Sequence, residues 1–481
     1  MGRSKNVTFN AILNTIKQCC TIIFPMITFP YVSRVLGAGN YGKVNFSLSI
    51  IAYITLIAGL GINNYAVREG AKIRENRAKL SFLVTEIYTI NIISTIIAFL
   101  VLAILIILLP QLRGYGALLL IQSVNVLFIT LGADWINIIY EDYLYITIRY
   151  IISHLIALVI LFLLVKDKND YLIYACTNIL GTTLANVWNM LHIRRKIKIF
   201  PKFHISKNVL KHIAPIITIF CSSIASQIYI NSDMTMLGIF LNDAAVGYYS
   251  VAVKIYVLVK GLANAFLYVF IPRFSYDINT EKSGELDARY NIIINAIIII
   301  MAPSCAGLFM LSKHIILVFC GEGYLEATNS LRILSISLIF AVLACFYINV
   351  VMLPNSLEKK ILIATTISAV CNIFLNLILI PRLGIDAAAL TTLISEIIMT
   401  ALGIYYTKEK ISYKIIKGIA VSVLNTLVTI ILCRQVLQKV TNLYVAILFA
   451  VLLSIICFSI ITFLAYRKTC KAIVSKCICK L

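Results

Sequence analysis

The sequence predicts an all-α, polytopic transmembrane protein of about fourteen helices, from its composition, the length of its apolar blocks and the placement of its positive charges. Hydrophobic residues make up 61% of the 481 residues, and charged residues make up only 13%. A soluble globular chain is about half apolar and about a quarter charged. The apolar residues fall in blocks of roughly twenty, the length that crosses a hydrocarbon core about 30 Å thick. These blocks predict spans at residues 7–32, 41–65, 80–109, 114–139, 146–165, 171–191, 212–238, 246–271, 290–311, 331–353, 360–380, 385–406, 415–433 and 443–465.

The net charge of +22 would suggest a nucleic-acid partner in a soluble protein, but here the positive residues follow the loops. If the amino terminus is inside, most of the 42 Lys and Arg residues fall in inside segments, as the positive-inside rule requires. The densest clusters lie at residues 68–79, 194–211 and 467–480. We therefore expect both termini to be cytoplasmic, and we expect no nucleic-acid partner.

The basic loop at 194–211 separates six spans from the eight that follow, and a weak internal repeat supports a boundary there. Three positions recur at a constant offset of 205 residues: Leu36, Gly42 and Ile50 with Leu241, Gly247 and Ile255. Six is an even number of spans, so a repeated lobe keeps the orientation of the first, and substrate is expected between the lobes. The predicted divisions are residues 1–200 (spans 1–6), 201–410 (spans 7–12) and 411–481 (spans 13–14 and a basic cytoplasmic tail).

The segment from Gly37 to Lys43 imitates two nucleotide-binding motifs, the dinucleotide pattern G-x-G-x-x-G and most of a P-loop. Both motifs need a β-strand before them and a helix after them, and the P-loop needs Ser or Thr where Val44 stands. These glycines are therefore expected to permit a tight turn between spans 1 and 2. Since no catalytic or metal-binding pattern occurs in the chain, we expect neither an enzyme nor a cofactor.

Polar residues recur at helical spacing on four spans, which predicts a water-filled cavity lined by spans 1, 2, 7 and 8. The alternative is that small neutral polar residues only hold helices together. Placing an ionisable residue at membrane depth costs free energy, so Lys260, which lies near the predicted midplane, favours the interpretation as a cavity. The predicted lining residues are Asn14, Lys17 and Thr21 on span 1, Asn45 and Ser49 on span 2, Ser222, Ser226, Tyr229 and Asp233 on span 7, and Tyr249, Tyr256, Lys260 and Asn264 on span 8.

Span 4 carries an acidic stripe, in which Asp134 and Glu141 follow Thr130 toward the inner face. Together with Asp233, these carboxylates are candidates for ion coupling, and the equally weighted alternative is that the stripe pairs with Arg149 or a neighbouring lysine. Three ionisable residues stand alone in other spans, and for each we expect a structural partner: Glu86, His154 and Glu396.

The chain resembles the bacterial polysaccharide flippases, which are related to the multidrug-and-toxin extruders. The segment from Phe29 to Gly37, continuing through Tyr41 and Gly42 to Phe46, resembles their opening signature. Further similar segments are Asp134-Trp135 with Glu141-Asp142-Tyr143, Asn231-Ser232-Asp233 with Val246-Gly247-Tyr248-Tyr249, Leu353-Pro354-Asn355, and Asn372-Ile373-Phe374-Leu375-Asn376. The similarity covers spans 1 to 12 and implies a MATE-like fold of two six-helix lobes plus two C-terminal helices.

The resemblance implies transport of undecaprenyl-pyrophosphate-linked oligosaccharide repeat units from the inner to the outer leaflet of the bacterial cell membrane, by alternating access between two lobes. It implies a lipid-linked oligosaccharide substrate, membrane lipids, and polymerase and glycosyltransferase partners. Arg34, Lys254 and Lys260 are the candidate cations for a diphosphate. Tyr229, Tyr249 and Tyr256, with Asn264, are candidates for sugar contacts. The competing interpretations are a drug or metabolite extruder of the same superfamily and a membrane polysaccharide polymerase.

Overall fold

The computed structural model describes residues 7–197, 202–204, 209–268 and 283–467, and every regular element within these ranges is a helix. Twelve stretches of the described residues are long and apolar enough to cross a membrane. The first of them, Ile12–Lys72, holds two successive spans, and Tyr171–His192 adds a further helix of 22 residues. The prediction of an all-α membrane protein of about fourteen helices is confirmed.

The chain divides into two compact units, Met1–Ser250 and Val251–Leu481. The lobe boundaries predicted near residues 200 and 410 stay a prediction. Of the basic residues used for topology, Lys198, Lys207 and those after Arg467 lie outside the described residues.

The first two spans form one continuous helical stretch, Val7–Gly59, that is broken at a single residue. Gly37 has φ 70 and ψ 171, a backbone conformation that a residue with a Cβ rarely adopts. The break divides the stretch into α1 (7–36) and α2 (38–59). The tight turn expected from the glycine cluster is therefore confirmed, and a short helix, Ile62–Lys72, follows α2.

The rest of the first unit consists of five more spans and the start of an eighth. Asn76 caps the first of these helices by accepting a hydrogen bond from the backbone N–H of Lys79. Trp135, Leu80 and Ile87 belong to the main apolar core of this unit. The helices are α3 (Arg77–Leu108), α4 (Gly116–Gly132), α5 (Tyr143–Leu164), α6 (Tyr171–His192), α7 (Leu210–Phe240) and α8 (Asp243–Tyr268).

The second unit begins within α8 and contains six further helices. In it α10 packs on α12, α9 packs on α13, and α11 packs on α12. Gly384, at φ 62, forms the whole connection between α11 and α12. The helices are α9 (Ser283–Cys320), α10 (Ala327–Phe346, extended by a π-helical turn at Tyr347–Met352), α11 (Glu358–Leu383), α12 (Ile385–Thr407), α13 (Ile416–Lys439) and α14 (Leu443–Ala465).

The acidic stripe predicted on span 4 does not share one helical face, because the helix breaks inside it. α4 ends at Gly132, and Ala133 takes a left-handed conformation with φ 44. A five-residue helix, Trp135–Ile139, follows, and Glu141 is again left-handed with φ 54. The prediction of a continuous acidic face from Thr130 to Glu141 is therefore wrong.

Candidate functional site

The predicted lining residues of α1 and α2 divide into exposed groups and groups bonded to nearby backbone. Asn14 is exposed, whereas Thr21 donates to the carbonyl of Gln18 at 2.7 Å. Asn45 donates to the carbonyl of Tyr41 at 2.8 Å. Ser49 is buried and accepts a hydrogen bond from the hydroxyl of Thr235 on α7 at 3.0 Å. The bond between Ser49 and Thr235 joins two helices and favours the structural alternative, whereas the bonds of Thr21 and Asn45 stay within their own helices.

The predicted residues of α7 lie in the first unit, and one of them is bonded to α8. Asp233 and Tyr249 are both buried, and the Tyr249 hydroxyl donates to the Asp233 carboxylate at 2.8 Å. Tyr249, at 1% exposure, therefore offers no ring face to a sugar in this conformation. Ser226 is exposed and Tyr229 is half-buried, whereas the side chain of Ser222 lies outside the described residues.

A buried charge cluster in the second unit joins Lys260 and Tyr256 of α8 to Glu396 of α12. The Lys260 ammonium lies 2.6 Å from the Glu396 carboxylate, and the Tyr256 hydroxyl donates to the same oxygen at 3.1 Å. The partner expected for Glu396 is thus Lys260. Asn264, one helical turn beyond Lys260, has a buried amide oxygen with no hydrogen-bond partner among the described residues.

Two lysines inside spans have no carboxylate partner in the described part of the chain. Lys254 on α8 is half-buried and makes no hydrogen bond or ion pair there. Lys17 on α1 is half-buried too, and its ammonium lies 5.8 Å from the ring centroid of Tyr150. Lys254 and Lys260 are about 120° apart around α8, so they face different neighbours. The third candidate cation, Arg34, is exposed.

The other ionisable residues that the sequence singled out on spans 4 and 5, Asp134, Glu141 and His154, each have a partner. The Arg149 guanidinium lies 2.6 Å from the Asp134 carboxylate, as the ion-pair alternative predicted. Glu141 pairs with Arg74. His154 contacts the backbone carbonyl of Tyr150 through Nδ1 at 2.9 Å. Ion coupling by Asp134, Glu141 or Asp233 stays a prediction.

Glu86 has a partner that sequence reasoning missed, because His212 stands 126 positions away in the chain. The His212 imidazole lies 2.9 Å from the Glu86 carboxylate through Nε2 and 2.7 Å from the Tyr65 hydroxyl through Nδ1. All three side chains are buried. The cluster joins α3, α7 and the helix Ile62–Lys72, at the side of the membrane that the charges predict to be inner.

The two turns related by the internal repeat touch each other through backbone, in a contact that we call the glycine seam (Ala38, Gly42, Asp243 and Gly247). A Cβ placed on Gly42 would lie 2.7 Å from the carbonyl carbon of Asp243. A Cβ placed on Gly247 would lie 2.8 Å from the carbonyl carbon of Ala38. The offset of 205 residues relates Ala38 to Asp243 as well as Gly42 to Gly247, so the contact is reciprocal. The Tyr115 hydroxyl also donates to the Asp243 carboxylate.

A sequence model of the family described as "Polysaccharide biosynthesis protein" matches residues 7–276. Among curated proteins, the "Putative O-antigen transporter" of Escherichia coli (strain K12) is 23% identical over 408 residues, covering 83% of this chain and 96% of the relative. The "Probable low-salt glycan biosynthesis flippase" of Haloferax volcanii is 26% identical over 257 residues, covering 53% of this chain and 52% of the relative.

Two solved structures share the fold. The lipid II flippase MurJ, in an inward closed conformation, superposes with a TM-score of 0.67 at 22% identity, covering 93% of this chain and 99% of the other. An inward-facing multidrug-resistance MATE transporter of the MOP superfamily gives a TM-score of 0.62 at 15% identity, covering 85% and 95%. The MATE-like fold implied by the sequence resemblance is confirmed.

Proposed function

Because this chain belongs to the polysaccharide biosynthesis protein family, a family of multi-span membrane transporters, we propose that it flips undecaprenyl-pyrophosphate-linked oligosaccharide repeat units from the inner to the outer leaflet. The exported units would build a surface polysaccharide such as O-antigen, capsule or exopolysaccharide. The named functions of the Escherichia coli and Haloferax volcanii relatives support a lipid-linked saccharide as substrate. In this proposal the chain is a transporter and not an enzyme.

The observation that carries the proposal is the unpaired positive charge at membrane depth. A charged side chain in a span costs roughly 2.5–3.5 kcal/mol on insertion scales, so it normally faces a partner or a cavity. Lys17 and Lys254 have no carboxylate partner among the described residues, whereas Arg149 and Lys260 each have one. An anionic ligand supplies the missing partner, because phosphate oxygens accept charge-assisted hydrogen bonds from an ammonium group.

The glycine seam supports an alternating-access mechanism for the same proposal. The turns that meet there are the ones predicted to lie at the outer face, so the seam corresponds to a closed outer gate. Substrate would enter while the seam is shut and leave toward the outer leaflet after it parts. The predicted six-helix lobes would move apart at one face while they close at the other.

Localisation and partners follow from the same proposal. The protein would lie in the bacterial cell membrane with both termini in the cytoplasm. Glycosyltransferases would supply its lipid-linked substrate at the inner face, and a polymerase would use the exported unit at the outer face.

The proposal is tested by measuring how tightly the purified protein binds undecaprenyl diphosphate N-acetylglucosamine in detergent. Lys254→Gln and Lys17→Gln should each weaken binding by about tenfold or more, since a hydrogen bond to a charged group contributes about 1.5–3 kcal/mol. Lys359→Gln is the matched control, because Lys359 is exposed at the start of α11. Equal affinity in all three variants and the unaltered protein would rule out this assignment of the phosphate site.

A further inference from the structure

The Glu396 carboxylate lies at the middle of α12 and is paired with the Lys260 ammonium, which is a candidate cation for a substrate phosphate. Its side chain is only 4% exposed, and its oxygen Oε1 accepts from both Lys260 and Tyr256. A buried carboxylate is stable only with such partners, since an uncompensated charge in an apolar interior is costly. The pair therefore keeps the empty site electrically neutral.

The two members of the pair differ in their access to the surroundings. The Lys260 side chain is 26% exposed, while that of Glu396 is 4% exposed. Lys260 also lies over the Tyr256 ring, with its ammonium 5.5 Å from the centroid. An ammonium group has three N–H donors, so a ligand can approach Lys260 from its exposed side while Glu396 stays buried. The two anions then compete for one cation.

No other cation among the described residues compensates Glu396 if Lys260 turns away. Two helices and a π-helical turn pack on α12. On α10 the Ser337 side chain contacts Tyr256, and on α11 the backbone carbonyl of Ser368 accepts a hydrogen bond from Ser395 of α12. The titratable groups that contact the carboxylate are Lys260 and Tyr256. The remaining charged residues of these neighbours lie toward helix ends: Arg332 on α10, and Glu358, Lys359, Lys360 and Arg382 on α11.

We propose that Glu396 is an exchangeable counter-anion: a substrate phosphate that binds Lys260 replaces Glu396 as its partner, and Glu396 takes up one proton from water. The inference rests on the proposed function. On binding, the ammonium–carboxylate contact breaks, an ammonium–phosphate contact forms, and the proton neutralises the stranded carboxylate. On release, the proton returns to water and the Lys260–Glu396 pair forms again. The loaded protein thus carries one negative charge fewer than the substrate alone would bring.

This exchange halves the change in net charge on loading, because the diphosphate brings two negative charges and the proton on Glu396 cancels one of them. Without Glu396, a free Lys260 would hold the diphosphate through an uncompensated ion pair, and release would be slow. With Glu396, the carboxylate replaces the leaving phosphate. Glu396 is therefore a positioning residue: it affects substrate binding and release through Lys260 and need not touch the substrate.

The test is calorimetric titration of the purified, full-length protein with undecaprenyl diphosphate N-acetylglucosamine, in two buffers of different ionisation enthalpy. The expected result is uptake of one proton per ligand bound, and an affinity that therefore rises as the pH falls, by up to about tenfold for each pH unit. The ligand itself does not cause this change, because both acidic groups of a diphosphate diester are strong acids. This measurement needs only the unaltered protein.

Three variants separate the possible outcomes. Glu396→Gln should bind without proton uptake, with the same affinity at every pH and more tightly than the unaltered protein at the alkaline end. Lys260→Gln should bind more weakly and also without proton uptake. Lys254→Gln should bind more weakly but keep the proton uptake, because Lys254 has no bond to this cluster.

The results that would contradict the proposed function differ from those that would contradict only the counter-anion role of Glu396. If the unaltered protein binds no diphosphate ligand, the proposed function falls and this inference falls with it. If the ligand binds without proton uptake, the counter-anion role falls and the proposed function stands. A matched titration with phosphatidylglycerol distinguishes a phospholipid headgroup from the lipid-linked diphosphate, and equal affinity for the two lipids would overturn the exchange with substrate.

Discussion

Alanine at position 42 should hold the glycine seam open. A Cβ there would lie 2.7 Å from the carbonyl carbon of Asp243 and 2.8 Å from the amide nitrogen of Gly247, whereas non-bonded carbon atoms normally stay about 3.5–4.0 Å apart. The opposing atoms are backbone and cannot rotate away, so the two turns must part by about 1 Å. Overpacking of this kind costs about 1–3 kcal/mol. The closed seam should therefore become about 5- to 150-fold less populated relative to the open one.

The matched control is Gly39→Ala, because a Cβ on Gly39 meets no atom within 4 Å. Spin labels at Arg34→Cys and Phe240→Cys, both exposed positions, would report the separation of the two turns in a background without the native cysteines. We expect Gly42→Ala to shift the distance distribution to longer values and to lower the amount of surface polysaccharide at matched protein levels. If the distributions of Gly42→Ala and Gly39→Ala are identical, the seam is not a closed gate.

Three further predictions concern stability and topology. Asp134→Asn should lower the stability of the folded protein by about 3–5 kcal/mol, because it leaves the buried Arg149 without its anion, and the double variant with Arg149→Met should melt at a higher temperature than the single one. His212→Ala should cost about 1–3 kcal/mol in a thermal-melting assay, because it leaves the Tyr65 hydroxyl without its partner and Glu86 with Lys211 alone, whereas an unchanged melting temperature would show that the cluster is not structural. A cysteine at Lys202 should be labelled by an impermeant maleimide only after cell lysis, and labelling in intact cells would reverse the predicted orientation.

The fold could be predicted from the sequence because bilayer thickness fixes span length and every span must satisfy its own backbone hydrogen bonds. The turn between α1 and α2 was also predictable, since Gly37 stands in a cluster of glycines. The break after α4 was not, because Ala133 and Glu141 take left-handed conformations that their residue types do not announce.

The candidate site was only partly predictable, for a related reason. Helical periodicity places Lys260 on a polar face, but it cannot show that Glu396, 136 residues later, supplies its counter-ion. The same limit hid the contact of Glu86 with His212. By contrast, the internal repeat did relate Gly42 to Gly247, the two residues that meet in the seam. Pairs that lie far apart in sequence thus became visible only where the chain repeats itself.

Flipping of a lipid-linked saccharide by the purified protein in liposomes tests the central claim most directly. Vesicles would carry undecaprenyl diphosphate N-acetylglucosamine in both leaflets, and an impermeant galactosyltransferase outside would tag only the sugars that it can reach. The account predicts that nearly all of the lipid becomes tagged in vesicles that contain the protein, whereas only the lipid of the outer leaflet is tagged in protein-free vesicles. Lys254→Gln should slow the tagging of lipid from the inner leaflet at least about tenfold. Tagging that stops at the outer half in the presence of correctly folded protein would contradict the account.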